Sequence, residues 1–312
     1  MTTRTADAPA VAPGDVFVVG APRSGTTWLH AVLSTHPSFA SPLETNVFGL
    51  IARVEREYLL GRSDGFGPSW VISSTEFDAW CAQLWQIARS GLLASTPRAT
   101  RVLEKTPDHV LQIDLIRRLV GRARFVHVVR HPVDVVRSTL EASQSWASGW
   151  APGTVEAATQ FWINRVRAGL AAGRTDDTLV VRYEDLLAGP EHWAELRSFL
   201  EIDPSWSLPD LGSRPNELLT PAIPAGIDTA ERLRAVSPEP RRSFHDRPTS
   251  QTRPLSAFEH RYVERHAGEL LEVLGYVRRA PGSSRLDAIQ TVTRAGSRRV
   301  RRVGSQIIGK GA

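Results

Sequence analysis

The stretch VFVVGAPRSGTT, residues 16–27, decides the fold. Its first four residues form a short apolar run closed by Gly20, which is typical of a buried strand. The polar residues that follow predict a helix from about Gly25 to Ser34, and the two glycines let the backbone turn sharply between strand and helix. Backbone N–H groups and the partial positive charge of a helix N-terminus attract anions. The stretch therefore predicts a phosphate-binding loop, and its alternative is an ordinary strand–turn–helix.

The loop departs from the motif that binds magnesium-bound nucleoside triphosphates. Thr26 stands where that motif carries its lysine, and the cation lies earlier in the loop, at Arg23. After a later predicted strand the chain has Arg130, where a metal-binding aspartate would be plausible. The loop consequently favours an anion other than a magnesium triphosphate, although a P-loop kinase or NTPase stays as an alternative.

Strands and helices alternate along most of the chain. The predicted strands are residues 16–19, 101–104, 124–129 and 178–183. The predicted helices are residues 25–34, 45–60, 75–93, 108–120, 154–172 and 256–274, with a further helix beginning near Pro132. This alternation predicts an α/β fold of three layers, a P-loop-type central parallel sheet flanked by helices. We assign residues 16–280 to this single domain.

Composition excludes several classes of protein. The chain has 312 residues, of which 41% are hydrophobic, and this content is sufficient for a core and excludes collagen, coiled coil and wholesale disorder. The single cysteine, Cys81, excludes a disulfide framework and a cysteine-rich metal site. Neither a signal peptide nor an apolar run of transmembrane length is recognised. We expect a cytoplasmic protein.

The net charge of +5 belongs to the end of the chain. Residues 285–312 hold seven basic residues against one aspartate, so the remaining chain is close to neutral and predicts no nucleic-acid binding. Residues 284–312 also show apolar residues spaced by threes and fours, as in a basic amphipathic helix. A helix packed on the domain, a helix on a membrane surface and a disordered tail are all compatible with this pattern. Peripheral membrane contact would suit a lipid or lipid-linked substrate.

Two further segments differ from the body of the domain. Residues 1–15 are rich in proline and alanine, and we expect them to be disordered. Residues 203–254 contain nine prolines and little periodicity, which predicts a lid-like loop segment.

The run Arg23–Thr27 resembles the 5′-phosphosulfate loop of the sulfotransferases that use 3′-phosphoadenylyl sulfate (PAPS), and the likeness covers roughly residues 16–190. It implies that the loop grips the 5′-phosphate and sulfate of the donor, that PAPS is the co-substrate, and that no metal is required. The residues that it implies in donor binding are Arg23, Ser24, Gly25, Thr26, Thr27, Arg130, Ser138 and Tyr183.

A second anion site is predicted after the strand at 124–129. Arg130 leaves the carboxyl edge of the sheet, and Ser138 lies two turns into the next helix, so a guanidinium and a hydroxyl can bind one phosphate from two directions. In the resembled family an arginine and a serine at this spacing hold the 3′-phosphate of the donor. The family also has a tyrosine near the nucleotide at the position of Tyr183, for which packing against a helix is the alternative.

Glu44 and Lys105 are the candidates for the chemistry, together with Arg23. A glutamate 21 residues after the loop arginine acts as general base in the tyrosylprotein-type branch, and Glu44 lies at that offset. Asn46 stands where that branch has a basic residue that contacts the substrate, so the likeness does not identify the substrate of this protein. Lys105 follows a strand, as the family's lysine does, and would stabilise the leaving group.

The residues around Lys105 leave other roles open. The small-molecule branch has a histidine base two residues after the lysine, and here that position is Pro107. His109 is a weaker candidate for the base. Glu104 is interpreted as a strand-end carboxylate that orients Lys105 or another cation.

The expected function is transfer of a sulfuryl group from PAPS to an acceptor hydroxyl by in-line displacement. One alternative is a P-loop kinase or NTPase. The other is a non-catalytic module that binds a nucleotide or a membrane. Protein tyrosine, sugar, lipid and small phenol all remain open as acceptors, and the sequence does not indicate the oligomeric state.

Overall fold

A computed structural model of the protein describes residues 14–64, 67–173, 175–212, 215–219, 221–225 and 253–279. The expected disordered segment 1–15 falls almost entirely outside the described residues. So do most of the lid-like segment 203–254 and the whole of the basic segment 284–312.

A five-stranded parallel sheet forms the centre of the molecule, with strand order β2-β3-β1-β4-β5. The strands are β1 (Asp15–Gly20), β2 (Phe39–Ala40), β3 (Arg101–Glu104), β4 (Ala123–Val129) and β5 (Thr178–Arg182). Strand β1 pairs with β4 along its whole length and with β3 on its other side. Helices flank this sheet, so the predicted α/β fold with a central parallel sheet is confirmed.

The helices largely follow the predicted bounds. They are α1 (Thr26–Ser34), α2 (Val47–Asp64), α3 (Ser74–Ala94), α4 (Ile113–Val120), α5 (Pro132–Ser143), α6 (Val155–Ala172), α7 (Tyr183–Ala188), α8 (Ala194–Phe199), α9 (Pro215–Leu218), α10 (Ala257–His266) and α11 (Gly268–Val273). Short 3₁₀ turns lie at Pro68–Trp70, Pro107–Leu111 and Pro190–Trp193. Within the described ranges, no helix combines the length and apolar character needed to cross a membrane.

The core lies on both faces of the sheet. Along β1 the side chains of Phe17 and Val19 pack with α2, α3 and α4, whereas Val16 and Val18 pack with α1 and the helices after β5. All six residues of β1 are buried, which explains why this strand reads as a continuous apolar run rather than an alternating one. Because the strands are parallel, their carboxyl ends meet at one edge, and the segments that follow β1, β3, β4 and β5 are brought together there.

Candidate functional site

The loop between β1 and α1 has the backbone of an anion site. Gly20, Arg23 and Gly25 all have positive φ, at 149°, 74° and 97°. At Gly25 a β-carbon would lie 2.3 Å from the ring of Tyr183, so both the φ angle and the space require glycine. The N–H of Ser24 donates to the carbonyl of Ala21 at 3.1 Å and closes the turn before the helix.

The side-chain hydroxyl of Ser24 is available to bind an anion in this loop. Its hydroxyl is fully buried and has no hydrogen-bond partner among the described residues. A buried hydroxyl without a partner is costly, and most such groups in native proteins are satisfied. A phosphate or sulfate oxygen held by the loop would satisfy it, which fits the predicted donor site.

The residues of the two predicted anion sites contact each other, and we refer to the space around them as the cleft. Arg23 Nε donates to Ser138 Oγ at 2.9 Å, although the two residues are 115 positions apart. Arg130 Nη1 donates to the carbonyl of Arg23 at 3.3 Å. Burial lowers the pKa of Arg23, and the charge of Arg130 lowers it further, against the opposing effect of Glu141. Two guanidinium groups held together in this way favour the binding of an anion between them.

Tyr183 lies between the loop and Arg130. Its ring faces Gly25, and the guanidinium of Arg130 lies 4.8 Å from the ring centroid. Trp28 meets the same ring edge-on, with centroids 5.3 Å apart. Tyr183 therefore packs against Trp28 of α1 and also lies beside the loop, and its contact with a nucleotide stays a prediction. Trp28 was not singled out from the sequence, although its position directly after Thr27 was a usable signal.

Lys105 and Glu44 are in direct contact. Lys105 Nζ pairs with Glu44 Oε1 and donates to Thr27 Oγ1 at 3.2 Å. The lysine side chain is 6% exposed, whereas that of Glu44 is 52% exposed. The structure thus brings the cation, the carboxylate and the end of the phosphate loop together, with the carboxylate on the solvent side.

Glu104 is fully buried, and its partners do not include Lys105, the cation that the sequence interpretation named first. Its hydrogen bonds run to Thr45, Thr106 and His109 rather than to Lys105. Burial alone would raise the pKa of Glu104, but the charge of His109 and hydrogen bonds from His109, Thr106 and Thr45 outweigh it and lower the pKa to about 2. His109 is fully buried against this carboxylate, so it is not placed to act on an acceptor.

A largely buried polar network, which was not predicted from the sequence, holds the junction between β4 and α5. Glu184 accepts the backbone N–H of His131 at 3.0 Å and the hydroxyl of Tyr276 at 2.8 Å. Arg279 forms an ion pair with Asp134 at 2.8 Å. The segment after α11 is thereby tied to the residues that follow Arg130. The signal in the sequence was weak, because these charges are far apart along the chain.

Two exposed tryptophans lie near the loop arginine. Trp146 is 55% exposed, and its ring centroid lies 5.6 Å from Arg23 Cζ. Trp150 is 47% exposed and lies 5.7 Å from Trp146. Both lie in the connection between α5 and α6, beside the cleft.

Comparisons with known proteins indicate the family of this chain. A model of the sulfotransferase family matches residues 13–206. A protein-tyrosine sulfotransferase from Drosophila melanogaster is 24% identical over 196 residues, which cover 60% of this chain and 38% of that protein. A putative protein-tyrosine sulfotransferase from Caenorhabditis briggsae is 27% identical over 191 residues, covering 60% of this chain and 65% of that protein. The chain thus spans less than two thirds of these curated relatives.

Among solved structures, the sulfotransferase domain of the olefin synthase from Synechococcus PCC 7002 aligns with a TM-score of 0.49 and 20% identity, covering 88% of this chain and 99% of that domain. The family model, by contrast, matches well over half of the chain, from two residues before β1 to the segment after α8. The chain belongs to the sulfotransferase family.

Proposed function

We propose that the protein transfers the sulfuryl group of PAPS to an acceptor hydroxyl and releases adenosine 3′,5′-bisphosphate. Membership of the family supports sulfuryl transfer in general. The observation that carries the specific proposal is the 2.9 Å contact between Arg23 and Ser138, which joins the phosphate loop to the second anion site. A donor with phosphates at both ends of one nucleoside fits a cleft with two such adjoining sites.

The donor would be held from two sides. The loop N–H groups and the hydroxyls of Ser24, Thr26 and Thr27 face the 5′ end, and the buried, unpartnered hydroxyl of Ser24 supports this assignment. Arg130 and Ser138 hold the 3′-phosphate. Binding of that phosphate would replace the present contact between Ser138 and Arg23 and leave the Arg23 guanidinium for the phosphosulfate.

The reaction is a single displacement. The acceptor oxygen attacks sulfur while the bond from sulfur to the bridging oxygen breaks, and the electron pair of that bond stays on the departing phosphate. Glu44 takes the acceptor proton, and Lys105 and Arg23 stabilise the charge that develops on the phosphate. Before the donor binds, Lys105 pairs with Glu44, so donor and base compete for one cation. The proposed reaction needs no metal.

The acceptor class is open within this proposal. The names of the two curated relatives suggest protein tyrosine as the first acceptor to test. Sugars, lipids and small phenols belong in the same screen, with labelled donor and mass spectrometry of the product. Incorporation of label into none of these classes, by a protein that binds the donor, would instead favour a non-catalytic nucleotide-binding module.

A binding experiment separates this proposal from a kinase or NTPase. Calorimetry should show that adenosine 3′,5′-bisphosphate binds without magnesium, and that Arg130→Ala weakens binding at least tenfold. Arg56→Ala is the matched control, since Arg56 is 69% exposed on α2 and pairs only with its neighbour Glu57 among the described residues. Tight binding of magnesium–ATP together with no binding of the bisphosphate would contradict the proposal.

Substitution of the charged groups tests the chemistry. Lys105→Ala and Arg23→Ala should each lower kcat by roughly 10²–10³, the usual scale for one donor to the transition state. Glu44→Gln should lower kcat while the affinity for adenosine 3′,5′-bisphosphate changes little. If Lys105→Ala and Arg23→Ala both retained activity within about threefold, the assignment would be wrong.

A further inference from the structure

Glu104 is a buried carboxylate that the proposed reaction does not use. Its side chain is fully buried, and it is the last residue of β3, directly before Lys105. Carboxylates are almost never fully buried unless they are paired. Its hydrogen bonds show which parts of the chain the charged carboxylate connects.

Both oxygens of Glu104 are occupied. Oε1 accepts three hydrogen bonds, from Thr45 N at 3.3 Å, Thr45 Oγ1 at 2.9 Å and Thr106 Oγ1 at 2.7 Å. Oε2 accepts a hydrogen bond from His109 Nδ1 at 3.0 Å. Since an ionised carboxylate only accepts, Nδ1 of His109 carries the proton.

These bonds join two segments that are about 60 residues apart. Thr45 directly follows Glu44, and Thr106 directly follows Lys105. Asn46 N donates to Thr106 Oγ1 at 3.1 Å and adds a further link between the same segments. The contact between Glu44 and Lys105 is thus flanked by a second set of contacts, which Thr45 and Asn46 make with Glu104 and Thr106.

The exposed position of Glu44 shows why such an anchor matters. Glu44 is 52% exposed, and it lies in the irregular segment between β2 and α2. A side chain that must accept a proton in the transition state loses about 10²-fold in rate when it is misplaced by 1 Å. A buried, ionised anchor fixes the segment more firmly than exposed contacts would, because charged hydrogen bonds are stronger away from water.

We propose that Glu104 is the positioning residue for the general base: through Thr45 it holds Glu44 against Lys105, while His109 fixes the orientation of its carboxylate. This inference rests on the proposed function, in which Glu44 is the base. Glu104 itself touches neither donor nor acceptor. It therefore acts on kcat through Glu44 and leaves donor binding to the loop and to Arg130.

Kinetics of a double substitution test this role. Glu104→Gln keeps the shape of the side chain but removes its charge, and it should lower kcat roughly 10- to 100-fold. The affinity for adenosine 3′,5′-bisphosphate should change by less than about threefold. Because Glu104 acts through Glu44, the variant Glu104→Gln/Glu44→Gln should be no slower than Glu44→Gln alone, within about twofold. Independent, multiplying losses in the double variant would overturn the inference, as would a kcat of Glu104→Gln within threefold of wild type.

A matched pair at Thr45 covers the case in which Glu104→Gln fails to fold. Thr45→Val removes the hydroxyl with little change in shape and should lower kcat as Glu104→Gln does, whereas Thr45→Ser retains the hydroxyl and should restore at least half of the wild-type kcat. Equal rates for the two variants would contradict the proposed link between Glu104 and Glu44.

Hydrogen–deuterium exchange gives a readout that does not depend on activity. In Glu104→Gln or Thr45→Val, amides in residues 41–47 should exchange at least tenfold faster, while those of the phosphate loop, residues 20–27, keep the wild-type rate. Unchanged exchange at 41–47 would overturn the inference even if no acceptor is sulfated. If the variants show this exchange pattern but the wild-type protein has no transferase activity, the result would count against the proposed function and not against the role of Glu104.

Discussion

At the scale of single residues, the cleft depends on one glycine. Gly25 has φ of 97° and faces the ring of Tyr183, which in turn lies under Arg130. A side chain at position 25 would therefore push on the group that supports the second anion site. The loop and the site at the start of α5 are coupled through this contact.

Gly25→Ala should weaken binding of adenosine 3′,5′-bisphosphate at least tenfold and destabilise the fold by about 1–3 kcal/mol, the range for a non-glycine residue in a strained backbone region. The added β-carbon would lie 2.3 Å from a ring carbon of Tyr183, so the ring has to move. Calorimetry and urea unfolding measure the two effects.

Gly121→Ala separates backbone strain from the clash at Gly25. Gly121 also has a positive φ, of 74°, but nothing lies within 4 Å of its added β-carbon. Gly121→Ala should lose about 1–3 kcal/mol of stability from backbone strain, with unchanged affinity for the bisphosphate. Equal losses of affinity in both variants would show that the contact with Tyr183 does not matter.

At the scale of elements, the sequence predicted the parts with strong local patterns. Strands β1, β3, β4 and β5 follow the predicted bounds closely, because each contains at least two consecutive apolar residues in a short segment bounded by polar or turn residues. Strand β2 was missed, since two residues are too few for any periodicity. The predicted helix at 108–120 begins instead with a 3₁₀ turn at Pro107–Leu111, and α4 starts only at Ile113.

The parts of the candidate site that directly follow strands could be predicted from the sequence. Contacts between residues that are far apart in the sequence could not. The parallel order of the sheet brings together the residues after β1, β3 and β4, so Arg23, Lys105 and Arg130 were candidates from sequence. The direction of the Glu104 carboxylate was not predictable, because it depends on Thr45 and His109 folding against it. Which residues act in catalysis stays a prediction.

Asp15 joins three elements at the other end of β1. Its carboxylate accepts from the backbone N–H of Val102 at 2.9 Å, from Arg89 Nε at 2.8 Å and from Trp85 Nε1 at 3.3 Å, which ties β1 to β3 and α3. Asp15→Ala leaves these donors without a partner and should destabilise the protein by about 2–4 kcal/mol in urea unfolding.

Asp114→Ala is the control for Asp15→Ala. Asp114 also pairs with an arginine, Arg117, at 2.9 Å, but its side chain is 94% exposed. Exposed ion pairs contribute little, so the loss should stay under about 1 kcal/mol. Similar losses for the two aspartates would contradict the role assigned to burial at Asp15.

At the scale of the whole molecule, burial lowers the pKa of several histidines among the described residues, most of all those of His30, His127 and His131. Burial lowers the pKa of His127 to about 4. Burial, and then the charge of Lys105, lowers the pKa of His30 to about 3. Burial, and then the charge of Arg279, lowers the pKa of His131 to about 3. All three lie around the sheet and the junctions that form the cleft, so protonation during acidification would oppose the native state as a whole.

The protein should therefore lose stability as the pH falls from 7 to 5. A histidine with a lowered pKa in the folded state binds its proton only after unfolding, so the unfolded state holds more protons below pH of about 6.5 and gains stability as acid is added. The free energy of unfolding should fall by roughly 2 kcal/mol for each of the three histidines over this range. The pKa of Glu104 is lowered from 4.5 to about 2, so the stability that this carboxylate provides is lost mainly below pH 4.5. It therefore has little effect between pH 7 and 5. Urea unfolding at pH 7, 6 and 5 measures the slope.

The substitution His127→Leu tests how much one buried histidine contributes to this loss of stability. Neither ring nitrogen of His127 has a hydrogen-bond partner among the described residues, so the substitution removes a titrating group without breaking a hydrogen bond in that part of the chain. The ring packs closely against Gly169, and leucine changes the packing there, so the informative quantity is the slope and not the stability at pH 7. The variant should lose about 2 kcal/mol less than wild type between pH 7 and 5. A slope equal to that of wild type would show that His127 is already protonated in the fold, or that buried histidines do not set the acid limit of this protein.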